Sequence, residues 1–333
     1  MLIIGIAGLQ LSEQERTYLQ HPSVAGVILF SRNFESKVQL QDLCADIRQS
    51  AAQPQLICVD QEGGRVQRFK DGFYGLPSLQ SIGAISENGS ADAMHLAQQH
   101  AYVMASEIIA NGLDLSFAPV ADLGRGNLAI GNRAFSAEPQ TVAHFIEAYI
   151  HGMHRAGMAA TLKHFPGHGS VLEDTHFNDA NDPRTLAEIS AIDLVPFRTG
   201  IHAGADAVMM AHVCYPNVVE QAAGFSEFWI QTVLKSDLGF KGVVFSDDIG
   251  MAAAETAGGV GARIKLHLNA GCDVVLACPP ATVPLALDAM PICDYRIDRL
   301  DNMRARAPKK WHELLADNDY QQALISMNSM ELA

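Results

Sequence analysis

Cations are scarce in this chain. Its 333 residues carry 23 Lys and Arg against 37 Asp and Glu, a formal net charge of −14 with histidine neutral. Nucleic acids and anionic membrane surfaces are gripped by clustered Lys and Arg, so neither is expected as a partner. Long hydrophobic runs are missing as well: the apolar stretch 24–30 falls far short of the about 20 residues a membrane-spanning helix needs. The opening Met1-Leu2-Ile3-Ile4-Gly5-Ile6-Ala7-Gly8 has no Lys or Arg before it and turns polar at Gln10, which makes it a poor signal peptide. The six cysteines include no CxxC pair and no disulfide-like spacing; reduced thiols in a cytoplasmic protein, packed as small hydrophobes, are expected. A phosphate-cradling loop is also lacking, since Gly5-Ile6-Ala7-Gly8-Leu9-Gln10 matches neither GxGxxG nor GxxxxGK[ST].

What is present is a core-forming composition, 48% hydrophobic and 18% charged. At about 150 residues per domain the length permits two domains, but a (β/α)₈ barrel of roughly 250 residues with insertions fits equally. Eight short apolar, β-branched runs occur at 2–7, 24–30, 55–60, 114–119, 158–164, 206–212, 242–247 and 273–278. They are continuous rather than alternating, as suits strands buried on both faces of a parallel sheet, and such strands need crossover helices.

Those helices are signalled. Ser12 with Glu15 forms a capping box; Leu40, Leu43, Cys44 and Ile47 share one helical face behind Ser36. Pro139 starts a helix that ends at Gly157, and Gly112, Gly239 and Gly271 stop three others. The expectation is an α/β fold, one (β/α)₈ TIM-type barrel occupying 1–333 as a single domain and acting as a monomer. Residues 298–333 form a charged helical tail packed on or near the barrel. Two stretches break the rhythm, 61–87 and 165–183, and long βα loops in a barrel build the active site.

Polar residues crowd the ends of the runs: Asp60, Asp122, Lys163-His164, His212 and Ser246-Asp247-Asp248. The sharpest local feature is Lys163-His164-Phe165-Pro166-Gly167-His168-Gly169, followed by Asp174-Thr175-His176. Three histidines and a carboxylate so close can ligate zinc, but the spacing matches neither HExxH nor HxH, and Lys163 would set a cation beside the metal. The competing reading is a proton-transfer dyad on a glycine-rich loop: Asp174 fixes the tautomer of His176, which gives and then takes a proton near neutral pH. A carboxylate partner at the end of the seventh run can act as nucleophile or charge stabiliser, as in glycoside hydrolysis. Adjacent strand residues point to opposite sides, so sequence alone leaves Asp247 and Asp248 both open.

The chain resembles glycoside hydrolase family 3, in particular its single-domain bacterial β-N-acetylglucosaminidases. The resemblance is carried by Asp60-Gln61-Glu62-Gly63-Gly64-Arg65-Val66-Gln67-Arg68, Ser116-Phe117-Ala118-Pro119-Val120-Ala121-Asp122, Gly131-Asn132-Arg133, the Lys163-to-His176 stretch and Gly242-Val243-Val244-Phe245-Ser246-Asp247-Asp248. It implies a retaining exo-enzyme that releases terminal β-linked GlcNAc from 1,6-anhydroMurNAc muropeptides in peptidoglycan recycling. Asp247 is then the nucleophile and His176, paired with Asp174, the acid/base. Asp60, Arg68, Arg133, Lys163 and His164 hold the sugar, and no metal or cofactor is required. Ile249-Gly250-Met251 stands where Leu-Ser-Met is usual, a change expected to loosen the site slightly. Because muropeptides are anionic, a cationic rim of Arg65, Arg68, Arg125, Arg133 and Lys163 is expected despite the overall charge. Other β-glycosidase activity, phosphorolysis, and muropeptide binding without catalysis are the alternatives.

Overall fold

A computed structural model describes residues 1–87, 92–171, 180–251, 258–291 and 298–329. Eight parallel strands arise from the eight apolar runs: β1 Leu2–Gly5, β2 Val24–Leu29, β3 Leu56–Val59, β4 Leu115–Ser116, β5 Thr161–Phe165, β6 Ala207–Met210, β7 Val243–Asp248 and β8 Val274–Ala277. Nearly every residue in them is buried, because helices cover one face and the barrel interior fills the other. β1 pairs with both β2 and β8, and ladders run from β2 through β3 to β4 and from β8 through β7 and β6 to β5.

The seam between β4 and β5 is different. β4 is shorter than the run 114–119 predicts, since Pro119 has no N–H to donate to a ladder. A single parallel bridge, Val120 to Lys163, joins the two sides. Bonds from Thr161 N–H to the Ala118 carbonyl and from Ala121 N–H to the Lys163 carbonyl, both 2.7 Å, complete the ring. The architecture is the TIM-type barrel expected from sequence.

Helices start and stop where their signals lie. Ser12 and Glu15 close the capping box on Glu13–Leu19, and the helices Pro139–Ala156 and Val260–Ala270 end on left-handed Gly157 and Gly271. The turns Phe228–Asp237 bury Trp229, Ile230, Val233 and Leu234 as their spacing predicts, but they are wound in the wider i→i+5 form. At the chain's end Trp311–Leu315 and Asn318–Asn328 lie against the helix Ala93–Ala110, where the Tyr320 hydroxyl donates to buried Glu107 at 2.7 Å. Cys44, Cys58, Cys214, Cys272 and Cys278 are unpaired thiols, four of them buried. Among the described residues no helix is long and apolar enough to cross a membrane.

Candidate active site

The carboxyl ends of the strands surround a cavity of about 650 Å³. Its polar floor is one ion network. Lys163 of β5 is almost wholly buried and sits 2.8 Å from Asp60 and 2.6 Å from Glu62. Arg133 grips Glu62 with two parallel bonds, Nε to Oε2 and Nη2 to Oε1, each 2.7 Å, and Arg68 approaches Asp60 at 3.7 Å. Burial by itself would raise the Glu62 carboxyl, but Arg133 and Lys163 on either side outweigh it and hold it well below the usual carboxylate range. Burial likewise opposes charge on Arg133, and Glu62 reverses that, so the guanidinium stays ionised. Sugar hydroxyls both donate and accept, and this floor offers each kind of partner in fixed positions.

Asp60, Arg68, Arg133, Lys163 and His164 therefore converge on one cavity. Glu62 is the member that sequence reasoning left unassigned. Its signal was present: two buried cations need a buried counter-charge, and Glu62 stands two residues beyond Asp60, a spacing that returns to the same side of an extended chain. Arg65 also lines the cavity and bonds the Ala129 carbonyl, whereas Arg125 is exposed, donates to the Ala137 carbonyl and lies outside the lining. The expected rim is corrected by that one residue, which sits on a loop segment turned to solvent.

Strand alternation alone would send only one of Lys163 and His164 into the mouth. The β5–β6 register shifts between Leu162 and Phe165, and both side chains reach the cavity. The same device occurs in β7, where the register against β8 shifts between Phe245 and Asp248, and both Asp247 and Asp248 line the cavity. Phe245 packs edge-on against Phe117 with ring centroids 5.3 Å apart.

The two aspartates are held differently. One oxygen of Asp248 accepts backbone N–H bonds from Gly250 at 2.9 Å and Cys278 at 3.1 Å, and burial pushes its carboxyl up. Asp247 Oδ1 accepts from the Asp248 N–H at 2.8 Å. Beneath them His212 Nε2 lies 3.2 Å from the Asp248 carbonyl; burial lowers this imidazole, so the neutral ring donates there. Ile249 is fully buried, and a Cβ on Gly250 would stand 2.6 Å from Pro279 Cγ, so only glycine lets the prolines of the cavity wall close in.

On the opposite wall Asp122, at the β4–β5 seam, accepts from His164 Nδ1 at 2.7 Å and from the backbone N–H of His168 at 2.6 Å. Burial moves the His168 imidazole down to about 4. Asp174 and His176 lie outside the described residues. On either side of that segment Ser170 and Arg184 bond the same buried carboxylate, Asp193. Among the described residues no group of three His, Cys, Asp or Glu side chains is placed to hold a metal ion.

The profile of the glycosyl hydrolase family 3 N terminal domain matches residues 2–305. A beta-hexosaminidase from Stenotrophomonas maltophilia strain R551-3 is 62% identical over 317 residues, 95% of each chain. One from Xanthomonas axonopodis pv. citri is 58% identical over 319 residues, 96% of each. The structure of NagZ from Neisseria gonorrhoeae in complex with N-trifluoroacetyl-D-glucosamine superposes with a TM-score of 0.91 at 41% identity, covering 97% of this chain and 95% of that one. A glycoside hydrolase family 3 beta-N-acetylglucosaminidase from Paenibacillus sp. gives 0.82 at 33% identity, over 98% of this chain and 61% of that one.

Proposed function

The chain belongs to glycosyl hydrolase family 3, and from that premise we propose a retaining exo-β-N-acetylglucosaminidase that acts on 1,6-anhydroMurNAc muropeptides in peptidoglycan recycling. That the enzyme is a glycoside hydrolase of the β-N-acetylhexosaminidase kind follows from its kinship with the beta-hexosaminidases. The gonococcal relative binds an N-acylated glucosamine, which supports GlcNAc as the sugar held here. The working location is the cytoplasm and the working form a monomer.

One observation carries the mechanism: Asp247 shares a cavity with a fixed set of polar side chains, Asp60, Arg68, Arg133, Lys163 and His164, suited to sugar hydroxyls. With those groups holding the ring, the Asp247 carboxylate attacks the anomeric carbon as the glycosidic C–O bond breaks. His176, oriented by Asp174, gives its proton to the departing oxygen. A glycosyl ester to Asp247 results, and His176 then takes a proton from the water that attacks the same carbon and regenerates the carboxylate. Asp247 fits the nucleophile's role better than Asp248, whose charge is engaged by two backbone N–H groups that fold the strand end.

Incubation with a chromogenic GlcNAc β-glycoside tests the reading. Release of GlcNAc is expected, at a rate independent of added phosphate. No release from the folded protein overturns it, and GlcNAc 1-phosphate as product marks a phosphorylase instead. GlcNAc-anhydroMurNAc-peptide against chitobiose as substrates tests the muropeptide assignment, with faster cleavage of the former expected.

A further inference from the structure

Asp122 takes no part in the steps above, yet it is among the most completely enclosed charges near the cavity, at 1% exposure. It sits where the barrel is joined by one bridge instead of a ladder. Its Oδ2 accepts the backbone N–H of His164 at 3.1 Å and His164 Nδ1 at 2.7 Å; its Oδ1 accepts the N–H of His168 at 2.6 Å. Burial by itself would raise this carboxyl, but the His164 ring and the bonds it receives prevail and hold it below the ordinary range. An ionised carboxylate only accepts, so Nδ1 of His164 carries a hydrogen.

The other ring nitrogen then becomes informative. His164 lines the cavity, and no protein group among the described residues bonds its Nε2. Among the described residues, Asp122 on the β4 side, His168, and His212 at the end of β6 interact with the ring, Lys163 is its neighbour on the strand, and Asp247, Arg133 and Arg263 act in turn on those two histidines. Burial keeps His168 and His212 neutral. Lys163 and Arg133 supply donors only. An imidazole protonated on Nδ1 alone adds an acceptor at a fixed position on a wall rich in donors.

We propose that Asp122 is a positioning residue: by accepting the hydrogen bond of Nδ1–H it fixes the His164 tautomer whose bare Nε2 accepts a hydrogen bond from a substrate hydroxyl. Its second oxygen ties the same carboxylate to the His168 backbone, so the ring's tautomer and its place in the seam are set together. The inference rests on the cavity being the sugar site.

Long-range proton–nitrogen NMR correlations of the histidine rings in the full-length protein, at a pH above 7, test it without any turnover. The His164 signal, assigned by its loss in His164→Ala, is expected to show the Nδ1-protonated pattern. An Nε2-protonated or doubly protonated ring overturns the proposal, whether or not the variants below fold. Asp122→Ala removes the acceptor of the Nδ1 hydrogen, so the ring is no longer held to that tautomer and is free to carry its hydrogen on Nε2. The spectrum should change accordingly, and kcat/KM on a chromogenic β-GlcNAc should fall about 100-fold. In a His164→Ala background the same change should cost no more than about threefold, because partners in one network are not additive. Equal losses in the two backgrounds would mean that Asp122 acts only on the fold. Failure to cleave any GlcNAc glycoside overturns the functional reading and leaves the spectral result to decide this one.

Discussion

Asp247 and Asp248 are chemically identical neighbours whose surroundings separate them. In the proposed mechanism Asp247 is the nucleophile and its replacement removes the covalent step, so Asp247→Ala should lower kcat by at least about 10⁴-fold in a steady-state assay. Asp248→Asn keeps an oxygen for the Gly250 and Cys278 N–H groups and should cost at most about tenfold, the equivalent of one weakened hydrogen bond. Losses of equal size would contradict the assignment. His176→Ala should slow glycosides with poor leaving groups far more than activated aryl ones, which need little protonation; equal losses on the two substrates exclude His176 as the acid.

Glu62 holds two cations at once, and its removal leaves Arg133 and Lys163 buried without their shared counter-charge. Glu62→Gln should cost roughly 3–5 kcal/mol in denaturant unfolding, along with an increase in KM. The sign with pH follows from the lowered folded carboxyl: the stability it supplies is present above its unfolded value, about 4.3, and is lost as pH falls below that. Wild-type stability should therefore fall more steeply than that of Glu62→Gln in acid, as unfolding curves across pH 3 to 6 would record.

At the scale of elements, the tail and barrel meet at a point that only glycine permits. Gly157 ends its helix at φ +87°, and a Cβ there would stand 2.3 Å from the Arg306 carbonyl. Gly157→Ala should destabilise the protein by roughly 1–3 kcal/mol while leaving kcat and KM near wild type, since the site lies at the other end of the barrel. A change in KM with unaltered stability would contradict that separation. The strands were legible because burial on both faces writes an unbroken apolar run, and the helices because Ser12, Pro139 and Gly157 mark their ends chemically. Less legible was anything set by register. The shifts in β5 and β7 decide that Lys163 with His164, and Asp247 with Asp248, all reach the cavity, and a period of two cannot foresee a bulge. Glu62 and Asp122 escaped assignment because each acts through a residue distant in sequence, Arg133 for one and His164 for the other.

The whole molecule is acidic yet gathers several cations at one place, which suits the anionic substrate proposed for it. Arg65, Arg68, Arg133 and Lys163 are drawn into the mouth of the barrel, where low dielectric and fixed carboxylates set their geometry, while the chain as a whole carries a net charge of −14. A closed ring of parallel strands brings residues from positions 60, 133, 164 and 247 to one cavity, and insertions in the loops alter the pocket without disturbing the ring. The step that defines the proposed mechanism is a covalent glycosyl ester on Asp247. It is tested most directly by inactivating the enzyme with a fluorinated GlcNAc glycosyl fluoride that slows breakdown of the ester, then locating the added mass by peptide mass spectrometry. One sugar per chain is expected, attached to Asp247. Attachment at Asp248 or elsewhere, or turnover of the reagent with no labelled peptide at any time, would contradict it.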